Sequence, residues 1–298
     1  MNDDSLLILG TGALGTLFAA RLAAAGVKVT MLGAWPEGLA ALRKNGARLA
    51  GQPAAAAVRV TDRPEDCRGA GLALVLVKAW KTEQAAEALQ ACLEADGLAL
   101  TLQNGLGNRE SLSARLGPQR VALGVTTVGA SLQEPGVARR GGDGTVTLEA
   151  HPRLGPLEAL LRRAGFEVQV VTDAAGLVWG KLVVNAAINP LTALLDRPNG
   201  ALLERPQARA LMGELARETA AVAYALGVQL PYADPEQAVE QIARQTAGNR
   251  SSMLQDVLRA APTEVDAING AIVRLGEQAG VPTPANRIVW QLVKSLKN

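Results

Sequence analysis

Lys181, Asn185 and Asn189 stand at successive four-residue steps, and from Leu182 to Ile188 every residue but Asn185 is apolar. At about 100° per residue the three drift only about 80° around a helix, so they share one face. A helix that is apolar nearly all round is buried, and its polar stripe must face partners or a wet cleft. Left unpaired in a core, each amide would cost roughly 1–3 kcal/mol and the ammonium more. The stripe therefore offers positive charge and amide hydrogen bonds to something bound. The other readings are a polar seam between helices, or Lys181 reaching along apolar surface to solvent.

Two downstream clusters are plainer. Ser252 and Gln255 have capping-box spacing, which predicts Ser252 as a helix N-cap. Glu264 falls in the first turn of a helix predicted from Thr263, where a carboxylate suits the dipole. The single histidine, His151, lies in the turn-like segment Glu149 to Arg153 and reads as a solvated loop residue. One histidine and two cysteines (Cys67 and Cys92) build neither a His-rich metal site nor a disulfide framework, so no metal is expected.

A second constellation lies near the start of the chain. Gly10-Thr11-Gly12-Ala13-Leu14-Gly15 follows an apolar run and opens a helical pattern, the context a dinucleotide fingerprint requires. Gly10 would allow the tight turn, Gly12 a close approach of backbone to a pyrophosphate, and Gly15 close packing of helix on strand. The acid that usually bonds the ribose 2′-hydroxyl is missing: Gly33-Ala-Trp35 follows the second strand, with no acid before Glu37 and no arginine. Lys78, after a later strand, is the nearest cation from another loop and leans the reading toward NADP; an exposed strand-end lysine is the alternative. Asn104, in Gln103-Asn-Gly105, would reach a cofactor from a strand's carboxyl end, or serve only as a turn residue.

The elements that would carry these groups divide into two kinds. Short apolar runs alternate with helical patterns up to about Val171, the signature of βαβ units around a parallel sheet. Leu6–Leu9, Val27–Leu32, Leu72–Val77, Leu98–Leu102, Val121–Val128 and Glu167–Val171 read as strands; the glycine-punctuated stretch 130–149 reads as an antiparallel hairpin or meander. Beyond Thr172 strand signals nearly vanish. Helices are expected over 174–188, 207–226, 235–246, 252–259 and 263–280, with prolines, Pro190 among them, ending them. The expected fold is α/β: a Rossmann-type doubly wound sheet in a dinucleotide-binding domain over 1–172, followed by an all-α substrate-binding and catalytic domain over 173–298.

Composition narrows the partners. Thirty basic and 28 acidic residues are interspersed, with no basic stripe to neutralise a phosphate backbone, and aromatics at 3% supply few stacking platforms. No nucleic acid is expected. The longest uncharged run in the first half, Ser5 to Ala20, is 16 residues, short of the roughly 20 that cross a bilayer, so no membrane partner is expected either. Reducing cytoplasm is the default compartment. The apolar helical half is able to bury a dimer face or only its own core, which leaves a homodimer open.

These motifs occur in a definite order: the glycine turn, Lys78-Ala-Trp80, Gln103-Asn-Gly105, Trp179 to Asn185, Asn189 to Ala193, Asn199-Gly200, Ser251 to Asp256 and Glu264 to Gly270. In that order and over essentially the whole chain they resemble the ketopantoate reductase (2-dehydropantoate 2-reductase) family. The resemblance implies NADPH-dependent reduction of ketopantoate to pantoate, on the way to pantothenate and coenzyme A. It implies Lys181 as catalytic acid, with Glu264 paired to substrate, cofactor or that lysine. Asn185, Asn189, Asn199 and Ser252 become substrate contacts, and Lys78 and Asn104 join the glycine turn as cofactor contacts. Because Gly33-Ala-Trp35 stands where relatives often carry a basic residue, NAD stays open as the cofactor. A sibling reductase of another branched 2-oxo acid, or a non-catalytic NADP sensor, are the alternative functions.

Overall fold

In the computed structural model, which describes residues 4–52, 54–142 and 144–296, the chain divides into two compact units. One holds residues up to Gln103 together with Asn108–Ala174; the other holds Asn104–Gly107 and the chain from Ala175 onward.

The first unit is organised by strand β1 (Ser5–Leu9), whose successive side chains enter two different cores. Leu6 and Ile8 pack with Leu17, Phe18 and Leu22 of helix α1 (Ala13–Ala24), while Leu7 and Leu9 face the opposite side of the sheet. Burial on both faces is why these strands read as continuous apolar runs rather than as alternating ones. The chain continues through β2 (Lys28–Leu32), α2 (Pro36–Asn45), β3 (Arg48–Leu49), β4 (Arg59–Thr61) and β5 (Ala70–Val75). Helix α3 (Thr82–Cys92), β6 (Leu93–Thr101), α4 (Asn108–Leu116) and β7 (Val121–Thr126) follow. Next come β8 (Ala130–Glu134), β9 (Val137–Arg140), β10 (Thr145–Glu149), α5 (Gly155–Arg163) and β11 (Glu167–Val171).

Eight strands form one sheet in the order β11-β10-β7-β6-β5-β1-β2-β4. It is parallel from β4 to β7, and β10 joins β7 antiparallel. The chain leaves β1 toward β2 on one side and returns to β5 on the other. The carboxyl end of β1 is therefore a topological switch point, the place where open α/β sheets bind ligands. The expected hairpin is present as β8 and β9, which pair antiparallel and join β3 in a separate three-stranded sheet.

The second unit has six helices among its described residues: α6 (Ala175–Leu195), α7 (Pro206–Ala225), α8 (Pro235–Gln245), α9 (Ser252–Leu258), α10 (Asn269–Ala279) and α11 (Pro284–Ser295). Helix α6 is central and packs against α7, α8, α9 and α11. By length and composition it could cross a membrane, yet most of it is buried in this unit's own cores.

Two local expectations need correction. Helix α6 does not stop before Pro190 but runs through it to Leu195. The segment from Thr263 to Ile268 forms turns, and α10 begins only at Asn269. Helices α2 and α11 lie outside the expected helices; in α11, Ala285, Val289 and Val293 are buried while Ile288, Leu292 and Leu296 are exposed.

Candidate active site

The glycine turn sits at the carboxyl end of β1, and its three glycines are glycines for different reasons. Gly10 has φ +123°, and a Cβ there would lie 2.9 Å from the Leu76 carbonyl. A Cβ on Gly15 would lie 2.0 Å from the Gly10 oxygen, so that position is closed by the fold's own packing. Gly12 is exposed, has an ordinary φ of −81°, and a Cβ on it would meet nothing within 4 Å. Among the described residues no steric demand requires glycine at Gly12, whereas a ligand lying against the backbone would. Gly12 is also the N-cap of α1 and provides no side-chain cap, which leaves the first N–H groups of that helix facing outward. Both observations fit a pyrophosphate.

Gly33 explains the missing acid after β2. A Cβ there would lie 2.7 Å from the Thr11 side chain, so Thr11 fills the space in which a residue selecting the ribose substituent usually starts. Lys78 is half-buried just past β5, at the start of a single 3₁₀ turn over Ala79–Lys81.

In the helical unit, the residues predicted to form a stripe share α6: Lys181 and Asn185 are half-buried, and Asn189 is buried. Lys181 keeps some accessible surface, but its ammonium lies deep enough that desolvation pulls its pKa from 10.5 down to about 8. The negative charge of Glu264 acts in the opposite direction and raises it. Burial is the larger influence of the two.

Glu264 is not a dipole partner at a helix start, as its spacing had suggested; it is buried in the turns ahead of α10. Asn104 Nδ2 donates to Glu264 Oε2 at 3.4 Å. This meeting depends on Gly105, whose φ is +82° and whose Cβ would lie 2.6 Å from the Ala267 oxygen. Leu106 N–H then donates to that same oxygen at 3.0 Å. The Asn104-Gly105 turn is thus held against the Glu264 segment by close backbone contact, and a side chain at Gly105 would push it away.

The expected cap is displaced by one residue. Ser251, not Ser252, is the N-cap of α9: its Oγ accepts from Leu254 N at 3.1 Å and lies 2.6 Å from Thr192 Oγ1. Gln255 donates to the Arg250 carbonyl instead of closing a capping box. Ser252 is therefore half-buried and not engaged in capping. Asn199, buried, donates to Thr246 Oγ1 at 2.9 Å, while its Oδ1 is buried without a hydrogen-bond partner among the described residues. Thr263 Oγ1, next to Glu264 in the chain, is in the same condition and was not anticipated; nothing in its spacing marks it. Buried polar atoms of this kind are rare unless a ligand or water completes them. Lys181, Glu264 and Asn104 are thus brought together, whereas Asn199 is anchored separately, against the chain between α8 and α9.

Comparison with known proteins adds independent findings. Residues 6–153 match the family profile "Ketopantoate reductase PanE/ApbA", and residues 173–297 match its C-terminal counterpart. A 2-dehydropantoate 2-reductase of Archaeoglobus fulgidus is 39% identical, covering 100% of this chain and 99% of its own. The crystal structure of a PanE/ApbA family ketopantoate reductase from Ralstonia eutropha superposes with a TM-score of 0.91 at 34% identity, covering 98% of both chains. D-mandelate dehydrogenase, solved as a ternary complex with NADH and anilino(oxo)acetate, superposes with a TM-score of 0.90 at 25% identity, covering 98% of both chains.

Proposed function

The chain belongs to the ketopantoate reductase family, and we propose that it reduces 2-dehydropantoate to pantoate with a nicotinamide dinucleotide, the proton coming from Lys181. The observation that carries the proton assignment is the deeply placed ammonium with a pKa near 8, under the opposing charge of Glu264.

Reducing a ketone needs a hydride at the carbonyl carbon and a proton on the oxygen. The dinucleotide, when bound, supplies the hydride. The residues suited to hold it are Gly10, Thr11, Gly12, Ala13, Leu14 and Gly15, through backbone N–H groups and the space at Gly12, together with Lys78 and Asn104. Lys181 does two things in sequence. Its ammonium polarises the carbonyl oxygen as negative charge develops there, then releases a proton to the resulting alkoxide. An ordinary lysine with a pKa near 10.4 holds its proton too firmly to be an efficient acid near neutrality; a value near 8 suits the task. Glu264 keeps that value from falling further, so the lysine is still largely charged near pH 7. Asn185, Asn189, Asn199 and Ser252 orient the carboxylate and hydroxyls of the keto acid. The unpartnered Asn199 Oδ1 supports this, since a buried acceptor suits a substrate hydroxyl.

The dinucleotide is NADPH, with Lys78 as the cation for its 2′-phosphate, because Thr11 and Gly33 leave no side chain to do so after β2. The test follows absorbance at fixed 2-dehydropantoate with NADPH and with NADH. NADPH is expected to give the higher kcat/KM by about tenfold, the worth of one charge-assisted contact of roughly 1.4 kcal/mol. Lys78→Ala should abolish that difference. Equal use of the two cofactors by the unmodified chain would remove the role of Lys78.

A further inference from the structure

Helix α6 carries a proline one residue after Asn189 and is not broken by it. Pro190 has no N–H, so the Ala186 carbonyl, four residues earlier, loses the donor that an uninterrupted helix would provide. That carbonyl is nevertheless satisfied, because Asn269 Nδ2 donates to it at 3.1 Å. The second hydrogen of the same amide goes to Asn286 Oδ1 at 2.9 Å. Asn286 in turn donates to Glu218 Oε2 at 2.9 Å, and Glu218 accepts the N–H groups of Ala285 and Asn286 at the start of α11. The chain of bonds is buried throughout and fixes the orientation of Asn269: both hydrogens are used, and its Oδ1 is left without a partner. An amide turned the other way would set oxygen against oxygen at Ala186 and at Asn286.

Asn269 is the fifth residue after Glu264, and Ala186 the fifth after Lys181. We infer that Asn269 is a positioning residue for the reaction: by replacing the donor that Pro190 lacks, it locks the lysine-bearing helix to the segment that carries Glu264. Pro190 opens a place in the helix ladder into which a side chain from another segment fits, and an ordinary helix would present no such acceptor. The contact sets where Lys181 stands relative to Glu264, and so governs turnover without touching substrate. The inference rests on Lys181 as the proton donor.

The test is a pair of substitutions in two backgrounds. Asn269→Leu keeps the branched shape but removes the donor, and should lower kcat about tenfold while changing the KM for NADPH less than twofold. Pro190→Ala restores an N–H at position 190, so in that background Asn269→Leu should cost at most about threefold in kcat. If Asn269→Leu does not fold, Asn269→Ser in the same two backgrounds replaces it. An unchanged kcat on losing the amide, a loss equally large in both backgrounds, or a KM for NADPH that moves as much as kcat, as a merely structural defect would produce, would overturn the inference. Failure of the underlying reading is seen separately, as near-normal turnover by Lys181→Ala with Asn269 intact.

Discussion

The two polar constellations are built in opposite ways. At the glycine turn the working parts are backbone N–H groups, and the side chains are conspicuous by being small: Gly10 and Gly15 are closed by the fold, and Gly12 is open. At the lysine stripe the working parts are side chains, and groups far away in sequence organise them: Asn104 bonds Glu264, and Asn269 bonds the Ala186 carbonyl of the lysine-bearing helix. A site made of backbone is specified by a few adjacent residues, because the turn and the helix start carry the donors with them. A site made of side chains has to be specified several times over, once for each group that orients another.

The largest effect should separate the two directly. Lys181→Ala is expected to depress turnover by about 100-fold or more, the scale of a lost general acid, while dinucleotide affinity stays within about twofold. Steady-state rates and a fluorescence titration check it; near-normal turnover would remove Lys181 from the acid role and the contrast with it.

At the other constellation, affinity and stability should come apart between neighbouring glycines. Gly12→Ala adds a methyl group where the chain has nothing within 4 Å. Its melting temperature should match the unmodified protein, with dinucleotide affinity about tenfold weaker, or roughly 1.4 kcal/mol. Gly15→Ala forces a methyl group to within 2.0 Å of the Gly10 oxygen. It should cost about 1–3 kcal/mol of stability, as overpacked positions do, before any ligand is added. If Gly12→Ala proves the less stable of the two, the opening at Gly12 does not belong to a ligand.

A smaller change concerns pH. Lys181 must be protonated to act, so kcat should fall as pH rises through about 8. Glu264 raises that pKa, and removing its charge in Glu264→Gln lets burial lower it further. The alkaline limb should therefore move to lower pH, and a pH profile of kcat reads the shift. A limb that stays in place, or moves up, would show that Glu264 does not face the acid.

Much of the fold was legible because it is written in short-range patterns. The two-faced burial of β1 appears as the unbroken run Leu6 to Leu9, and the stripe on α6 appears as four-residue steps. Misreadings occur where a local rule was outweighed by a distant contact. Proline rules place a helix end before Pro190, but the amide of Asn269, 79 residues on, satisfies the Ala186 carbonyl that the proline leaves without its helical donor. Capping rules favour Ser252, but Thr192 draws Ser251 into the cap. Charge at a helix start accounts for Glu264 on paper, yet its segment folds into turns whose Ala267 carbonyl packs against Gly105.

By itself, then, the sequence determined which residues share a face, which turn can approach a phosphate, and which half is sheet and which is helix. Those depend on the geometry of a few consecutive residues. Only tertiary structure decided that burial outweighs Glu264 in setting the pKa of Lys181, that Gly12 alone among the turn's glycines faces open space, and which amide completes the ladder at Pro190. Desolvation, steric room and the satisfaction of a carbonyl are each the sum of what surrounds a group, and those surroundings are gathered from across the chain only when it folds.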